Sequence, residues 1–289
     1  MRLLIFTTEL DDSGKAIKIE AEKILLKCKL YFYNNLVYFN GFIFHKTKKL
    51  KIEKIDKIIL RSPYHSFIST FDYLFFARKL IEEYSDNILL DKEYYLNFPD
   101  HRDKLSQADF FYKNKVSTPK TFFAFHKADY NQINKFPVIV KKRKSSCCRD
   151  VFIITSQDKL NLFFKAKNLA DYLIQEKIKV KKDLRILILK NKVLGVVERK
   201  INYKPNNKIG VKVNKVYLYL PEKVKNQAIN IAKKIYGDFV GIDVVLTENN
   251  KFYFIEVNLA PQFSSFSRVS NINVAKKIVM FAKKHLPKV

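Results

Sequence analysis

The stretch FVGIDVVLTENNKFYFIEVN, residues 239–258, decides the fold of the C-terminal part of this chain. It holds two apolar runs, at 239–246 and 251–258, on either side of the polar residues 247–250. Apolar runs of this length around a short polar segment predict an antiparallel β-hairpin. The two predicted strands carry Asp243 on the first and Glu256 and Asn258 on the second.

Three oxygen-bearing side chains are expected on one face of this hairpin. Side chains alternate along a strand, so Glu256 and Asn258 share a face with Phe252 and Phe254. A four-residue loop makes Asp243 oppose Phe254 and places it diagonal to Glu256, whereas a two-residue loop pairs Asp243 with Glu256 directly. In either register the Asp243 carboxylate lies near the other two groups.

This set of two carboxylates and one amide suits a hard divalent cation. Mg²⁺ binds oxygen ligands and completes its octahedron with phosphate oxygens and water. An ordinary solvated sheet face is the alternative, but two neighbouring carboxylates repel each other unless a cation neutralises them. The apolar neighbours on that face also argue against open solvent. The sequence therefore predicts a Mg²⁺ site formed by Asp243, Glu256 and Asn258.

A second informative strand is FPVIVKK, residues 136–142. Alternation places Val138 and Val140 on one face, and Ile139 and Lys141 on the other. A lysine at the end of a strand either reaches solvent along the sheet edge or faces a binding site. The pattern alone leaves both interpretations open.

Asp183 and Arg185 share one face of another predicted strand, at 183–190, by the same period of two. They form either a structural ion pair or part of a site. The sequence contains no Walker A, GxGxxG, GxSxG or HExxH motif, so the corresponding P-loop, dinucleotide-binding, hydrolase and zinc-protease classes lack their signatures. Any site must therefore be assembled from dispersed residues.

Three domains are predicted, 1–95, 96–172 and 173–289, and of their two boundaries only the first rests on breaker residues, Asn97-Phe98-Pro99-Asp100. In the first domain the pattern predicts a strand at 3–7, a helix at 15–28, a β-meander at 30–44 with turns at Asn34-Asn35 and Asn40-Gly41, a strand at 54–61 and a helix at 66–84. In the other two, beside the hairpin, it predicts helices at 103–114, 157–166, 221–237 and 273–285 and strands at 136–142, 151–155, 173–178, 183–190 and 192–199.

The composition is that of a globular protein of 289 residues, with 47% hydrophobic and 29% charged residues. No apolar run approaches the roughly 18 residues of a membrane span, and the first residues do not resemble a signal peptide. The 3 cysteines are too few for a disulfide framework. We therefore expect a reduced, cytoplasmic protein without membrane association.

The formal charge of +27 indicates an anionic partner of some kind. Phosphate contacts by lysine and arginine dominate nucleic-acid binding, but the same field attracts an anionic small molecule or an acidic peptide. The lysine excess also accompanies only 6 glycines and no tryptophan, which is typical of a general compositional bias. Charge alone therefore does not identify the partner, and nucleic acid is not the expected one.

Seven segments follow one another in an order that is itself informative: IDKIILR (55–61), HRDKLSQADFFYKNKVSTPKT (101–121), FPVIVK (136–141), YLIQEKI (172–178), DLRILIL (183–189), ERK (198–200) and GIDVV with FIEVN (241–245 and 254–258). Together they resemble the ATP-grasp superfamily and, within it, the RimK-like ligases, which join glutamate or another amine to a carboxylate. The resemblance runs from Asp56 to the C-terminus and is strongest over 101–282. Each segment is weak by itself, and the shared order makes the resemblance specific.

The resemblance implies an α/β (α+β) ATP-grasp fold of three small domains, with the nucleotide between the central and C-terminal domains. It also assigns ATP contacts by position in the chain. The implied phosphate ligands are Lys104, Lys141, Lys204 and Asn206; the implied adenine ligands are Glu176 and Ile178, and Asp183 is implied near the ribose.

The same resemblance implies Mg²⁺ at the three residues that the hairpin pattern predicts, with room for two ions and with Mn²⁺ as a substitute. Arg185 and Arg199 are the implied catalytic residues, and Arg61 the implied substrate-binding residue. All three are candidates for gripping a carboxylate or its acyl phosphate.

Two departures from the family pattern concern the phosphates. The loop at 144–150 contains no glycine, although glycine allows the close backbone approach that phosphate binding uses. Lys204 stands where the family has an arginine, and lysine lacks the bidentate fork. Both differences put normal turnover in question.

The implied function is an ATP-dependent ligase that activates a carboxylate as an acyl phosphate for attack by an amine. A peptide or protein substrate is preferred to a free amino acid, because the 30–44 segment and IDKIILR also resemble peptide-crosslinking ATP-grasp enzymes and the positive charge suits an acidic peptide. The identity of both substrates, ligation or macrocyclisation, and formation of a homo-oligomer stay open. The alternative is a catalytically degenerate ATP-grasp scaffold that binds nucleotide or nucleic acid.

Overall fold

The computed structural model describes residues 2–61, 70–97, 103–145, 150–204 and 208–286. The N-terminal unit comprises β1 (Leu3–Thr7), α1 (Asp12–Lys23), β2 (Cys28–Phe32), β3 (Leu36–Phe39), β4 (Phe42–His45), β5 (Lys48–Lys49), β6 (Lys57–Leu60), α2 (Thr70–Tyr84) and α3 (Lys92–Asn97). β1 lies between β2 and β6 in a parallel sheet. Every residue of β1 is buried, as expected for the central strand of a covered parallel sheet.

The predicted β-meander at 30–44 is wrong in its first half. β2 pairs in parallel with β1, and a 3₁₀ turn at Tyr33–Asn35 separates it from β3. β3, β4 and β5 form their own antiparallel sheet. The predicted turn at Asn40-Gly41 is confirmed, and its two φ angles of 46° and 88° are of the positive kind that a two-residue type I′ turn requires.

The first helix is displaced from its predicted range of 15–28. It starts at Asp12 and ends at Lys23, because Leu25 adopts a left-handed φ of 58° and the Leu26 amide bonds back to the Ala21 carbonyl. Such a turn closes a helix and satisfies its last carbonyls. Of the apolar residues after Lys23, Leu26 is therefore buried without being helical, whereas Leu25 is exposed.

The central unit comprises α4 (Lys104–Lys113), β7 (Thr121–Phe122), β8 (Val138–Lys142), β9 (Val151–Ile154), α5 (Gln157–Lys165) and β10 (Tyr172–Glu176). The C-terminal unit comprises β11 (Val180–Leu189), β12 (Lys192–Lys204), β13 (Lys208–Val216), α6 (Glu222–Lys234), β14 (Phe239–Thr247), β15 (Phe252–Leu259), α7 (Ser264–Ser270) and α8 (Val274–Lys284). The predicted elements of both units are present with shifted ends, whereas the sequence pattern assigned nothing to α3, β7, β13 or α7.

The strands of these two units form one nine-stranded sheet in the order β15-β14-β11-β12-β13-β9-β8-β10-β7. In the described part of the chain β13 meets β9 through one residue pair, Lys208 with Phe152, so the two halves of the sheet are narrowly joined. β10 begins at the predicted boundary residue 172 and pairs with β8 and β7. The three-domain division stays a prediction.

β11 is buried on both faces, which explains its continuous apolar run. Leu184, Ile186 and Ile188 belong to an apolar cluster that includes α6, whereas Leu187 and Leu189 belong to one that includes α1 and α8. Asp183 and Arg185 share the second face by alternation. None of the described helices is long and apolar enough to cross a membrane.

Two aspartates connect the N-terminal unit to the start of β14. The buried Asp91 accepts hydrogen bonds from the Asp238 and Phe239 amides at 2.6 and 3.0 Å, and its own amide donates to Asp238 at 2.9 Å. Burial, reinforced by the Asp238 charge, raises the pKa of Asp91 to about 7. The folded state therefore binds this proton more tightly than the unfolded chain does.

We expect Asp91→Asn to flatten the dependence of stability on pH. With a folded pKa near 7 against an ordinary value of 3.8, wild-type stability is lost as the pH rises between these values. Asparagine keeps an accepting oxygen and tolerates the φ of 61° at this position. Urea unfolding at pH 5 to 8 measures the slope, with Asp109→Asn on the exposed face of α4 as the control. Equal slopes for wild type and Asp91→Asn would show that Asp91 does not titrate in this range.

Candidate functional site

A cleft lies where the central strands face the C-terminal strands. It is lined by side chains of β8, β9, β11, β12, β14 and β15 and of the β10–β11 connection. Much of its wall is apolar: Ile139, Val151, Ile153, Ile178, Val180, Ile201, Val245 and Ile255. The sequence-predicted residues on the wall are Lys104, Lys141, Glu176, Ile178, Asp183, Arg199, Asp243 and Glu256.

Asp243 on β14 pairs directly with Glu256 on β15, so the predicted proximity of the two carboxylates is confirmed. The pairing of the rest of the hairpin follows neither of the two predicted registers. Leu246 opposes Phe252, and a β-bulge after Asp243 inserts Ile255 as an extra residue. The prediction that Phe254 and Glu256 share a face is therefore wrong. Phe254 lies fully buried in the core, whereas Ile255 and Glu256 both line the cleft.

Asp243 is held by two arginines from neighbouring strands. Arg185 on β11 donates from Nε and Nη2 to its two oxygens at 2.7 and 2.8 Å, and Arg199 Nη1 on β12 donates to Oδ2 at 2.9 Å. Burial by itself would raise the pKa of Asp243, but the two guanidinium charges outweigh it and lower that pKa to about 2. Asp243 is therefore ionised at any physiological pH.

Arg199 also pairs with Asp183, so the network spans three strands. Its Nε donates to Asp183 Oδ1 at 2.7 Å, and Nη2 contacts the same oxygen. Burial raises the pKa of Asp183 despite this pairing. Burial also disfavours the charged form of Arg199, but Asp243 and Asp183 outweigh it, so the pKa of Arg199 is raised. Asp183 and Arg185 thus share a face but pair across strands, not with each other.

Lys104 approaches the cleft from the N-terminal end of α4. Its Nζ lies 3.9 Å from Glu256 Oε1 and donates to the Ser145 carbonyl at 2.5 Å. The preceding Asp103 caps the helix by accepting from the Leu105 amide at 2.9 Å. Asp103 also pairs with Arg143, which follows β8. The helix cap thereby connects Lys104 to the strand that carries Lys141.

Gln107 attaches the same helix to β15, and the sequence analysis did not identify it. Its side-chain amide exchanges hydrogen bonds of 2.9 and 2.8 Å with both backbone groups of Val257. Val257 lies between Glu256 and Asn258, so this contact positions both. A glutamine on the face of α4 that also buries Ala108 and Phe111 was the available signal.

The β10–β11 connection forms one end of the cleft. The Glu176 carboxylate accepts from the Lys120 amide at 2.9 Å, and the Glu176 amide donates to the Lys120 carbonyl at 3.0 Å. The Glu176 side chain therefore binds the segment before β7, while Lys177 and Ile178 line the cleft. Ile139 and Lys141 line the cleft together, as the alternation along β8 predicts.

Three described residues of the predicted site, Arg61, Arg185 and Asn258, do not line the cleft, and the side chains of Lys204 and Asn206 are not among those described. Asn258 donates from Nδ2 to Asp243 Oδ2 at 3.4 Å, beside the wall. Arg185 reaches the wall through Asp243. For Lys204 only the backbone pairing with Lys208 is described. Asn206 lies outside the described residues, as do residues 146–149 of the glycine-free loop.

Arg61 lies apart from the cleft, buried at the end of β6. Its Nε and Nη2 donate to the Asp11 carboxylate at 2.6 and 3.0 Å. Burial by itself would raise the pKa of Asp11, but the charge and hydrogen bonds of Arg61 outweigh burial and lower that pKa to about 2. Nη2 also lies 3.4 Å from the Ala260 and Pro261 carbonyls. Of the three guanidinium nitrogens of Arg61, Nη1 has no hydrogen-bond partner among the described residues. Its substrate-binding role stays a prediction.

We expect Arg199→Gln to destabilise the protein by about 3–5 kcal/mol, because it leaves two buried carboxylates without their shared cation. Urea unfolding measures the loss. Lys215→Gln is the matched control, since Lys215 is mostly exposed and 3.9 Å from Glu198, and such surface pairs contribute about 0–1 kcal/mol. A loss below about 1 kcal/mol for Arg199→Gln would contradict the charge network as a stabilising unit.

Comparison with known proteins identifies the family of this chain. The family model described as the RimK-like ATP-grasp domain matches residues 101–282. A coenzyme gamma-F420-2:alpha-L-glutamate ligase of Methanocaldococcus jannaschii is 31% identical over 190 residues, which cover 61% of this chain and 64% of that protein. The alpha-aminoadipate–LysW ligase LysX of Saccharolobus solfataricus is 29% identical over 176 residues, covering 57% and 63%. The matches thus span less than two thirds of these relatives' lengths.

Solved structures extend the likeness to the whole chain. The structure of the ATP-grasp ligase PsnB complexed with minimal precursor superposes with a TM-score of 0.73 at 11% identity, over 99% of both chains. At that identity the match shows the fold alone, and the predicted ATP-grasp fold is confirmed. With the family model covering well over half of the sequence, the chain belongs to the RimK-like ATP-grasp family.

Proposed function

We propose that this chain is an ATP-dependent ligase that activates a carboxylate as an acyl phosphate for attack by an amine. One observation supports this above the others: the cleft collects Lys104 and Lys141 with Asp243 and Glu256 at an apolar wall. An apolar wall suits a purine ring, lysines suit phosphates, and carboxylates suit the accompanying cation. The two relatives named above are both ligases, one for a glutamate and one for LysW.

The donor set fits Mg²⁺, provided that the ion arrives with a polyanion. Asp243, Glu256 and Asn258 offer oxygen ligands of the kind Mg²⁺ prefers. Within the described residues no three His, Cys, Asp or Glu side chains form a closed cage, so water and phosphate would complete the shell. When bound, Mg²⁺ neutralises the charge that develops on the β- and γ-phosphates. Two ions, or Mn²⁺ in place of Mg²⁺, are part of the proposal.

The charges around the cleft explain why nucleotide and metal would bind together. Its described lining carries equal numbers of cationic and anionic groups: Lys104, Lys141, Lys177 and Arg199 against Glu176, Asp183, Asp243 and Glu256. Asp243 already accepts hydrogen bonds from Arg185 and Arg199. A bare divalent cation therefore meets no net attraction, whereas the triphosphate supplies the missing negative charge.

The protein groups act by position and charge. Lys104 and Lys141 bind the phosphates, while the backbone of 176–178 and the apolar wall hold the adenine. Arg199, kept charged by its two aspartates, lies at the wall where it stabilises negative charge on the acyl phosphate and on the tetrahedral oxyanion. Arg185 contacts the substrate carboxylate beside Asp243. No covalent nucleophile is needed, since orientation of the reactants supplies much of the rate.

A peptide or protein is the proposed carboxylate substrate. The formal charge of +27 attracts acidic chains over long range. PsnB, which shares the fold, was solved complexed with its minimal precursor. A degenerate scaffold is not favoured, because the cleft keeps both lysines and both carboxylates.

We expect Glu256→Gln to lower ADP release by about 10²–10³-fold at saturating Mg²⁺, as the loss of one electrostatic stabiliser does in other enzymes. The fold should persist, because Glu256 is partly exposed in the cleft. ADP release is measured by a coupled assay. Glu248→Gln, on the exposed turn of the same hairpin, is the control and should turn over like wild type. Near-wild-type ADP release by Glu256→Gln would contradict the assignment.

The mass of the product distinguishes the two modes of ligation. Incubation of the protein with ATP and candidate acidic peptides should release ADP only when a substrate is present. A loss of about 18 Da from the peptide, the mass of one water, identifies ring closure, whereas a gain of one amino-acid residue identifies ligation. ATP binding without ADP release for any carboxylate would instead identify a degenerate scaffold.

A further inference from the structure

The outer face of the β3–β4 hairpin is apolar and open to solvent. Val37 and Phe39 on β3 oppose Phe44 and Phe42 on β4, so the four side chains share one face. Val37, Phe39 and Phe42 are 48%, 62% and 47% exposed. Monomeric proteins rarely expose a contiguous cluster of large apolar side chains without a use for it.

The hairpin does not need this outer face in order to pack. Its inner face supplies Leu36 and Ile43 to the core, at 7% and 2% exposure, and Tyr38 contacts Phe75 of α2 edge-on at 5.1 Å between ring centroids. An antiparallel sheet with one packed face ordinarily carries polar residues on the other. Val37, Phe39 and Phe42 on the outer face stay largely exposed instead of packing into the core of the described structure.

Within the described strands β3 is also an unprotected edge. The order of this sheet is β3-β4-β5, and β3 reads LVYF with no charged residue, whereas the opposite edge strand β5 is Lys48-Lys49. Proteins commonly protect edge strands with charges or proline, because an open edge pairs with other extended chains. The edge at β3 is therefore suited to strand addition.

The segment that forms the hairpin carries charge of one sign. Residues 28–52 contain lysines but no aspartate or glutamate, and those lysines are Lys29, Lys46, Lys48, Lys49 and Lys51. Lys49 Nζ lies 3.3 Å from the centre of the Phe42 ring, directly beside the patch. Burial and the charges of Lys29 and Lys46 lower the pKa of His45, which is consistent with a positive local field.

We propose that this hairpin is a docking surface for an extended acidic peptide segment, which adds to β3 as a further strand. Its apolar side chains lie on Val37, Phe39 and Phe42, and its acidic residues are attracted by the positive field of the hairpin lysines, Lys46 and Lys49 among them. A second copy of this chain is the less suitable occupant, because two lysine-only surfaces repel. The inference deepens the proposed function and rests on it, in that the docked segment belongs to the peptide substrate.

The test uses a fluorescein-labelled peptide, Glu-Val-Glu-Phe-Glu-Val-Glu, and fluorescence anisotropy with the full chain. We expect saturable binding that weakens with salt, and no binding of the peptide in which lysine replaces glutamate. The double variant Phe39→Ser/Phe42→Ser should lose at least about tenfold in affinity, since buried aromatic side chains dominate such interfaces. Leu218→Ser/Tyr219→Ser removes apolar side chains exposed elsewhere and is the control.

Other outcomes overturn the proposal. These are failure of wild type to bind the acidic peptide, equal binding by wild type and Phe39→Ser/Phe42→Ser, or a dimer by light scattering that this variant abolishes. If the double variant unfolds, Lys46→Gln/Lys49→Gln serves in its place and should weaken binding. Glu256→Gln should bind the peptide like wild type, so failure of the ligase proposal appears in ADP release and failure of the docking proposal in anisotropy.

Discussion

The interaction on which the rest of this site depends is the pairing of Asp243 with Arg185 and Arg199. These residues lie on three adjacent strands, β14, β11 and β12, and Asp183 completes the set. A slip of one residue between any two of these strands would turn a charged side chain towards the apolar face. Since an unpaired buried charge is costly, the network selects one register for the centre of the sheet.

The same carboxylate is also the predicted metal ligand, so structure and chemistry use one group. The negative charge of Asp243 is already compensated by Arg185 and Arg199. This compensation reduces the repulsion that would arise from placing Asp243 beside Glu256. The pre-existing pairing also sets a condition on ligand binding, because a cation must share Asp243 with two guanidinium groups. A triphosphate relieves this conflict by drawing positive charge to itself. In the proposed function, metal and nucleotide are therefore expected to bind cooperatively.

Local pattern predicted what depends on alternation, and missed what depends on distant partners. The alternation of side chains along a strand correctly predicted that Ile139 and Lys141 lie on the same face. It also predicted that Asp243 lies beside Glu256. It did not predict the bulge at Ile255, because an extra residue leaves no signal in an apolar run. The Arg61–Asp11 pair was equally invisible, since its members lie 50 positions apart. Nor could the pattern at 30–44 distinguish a hairpin partner from the parallel partner β1.

The large positive charge does not have its explanation in the cleft. Among its described lining residues the cationic and anionic groups balance, so these residues do not supply the excess that gives +27. Charge on a solvated surface contributes little to folding, and like charges oppose compaction. Its physical consequence is instead a long-range attraction for anionic chains, weakened by salt over about 10 Å at 0.1 M. Among the described surfaces the β3–β4 hairpin joins this charge to exposed aromatic side chains. Attraction at a distance and apolar contact at close range therefore converge there, on a surface separate from the cleft lining.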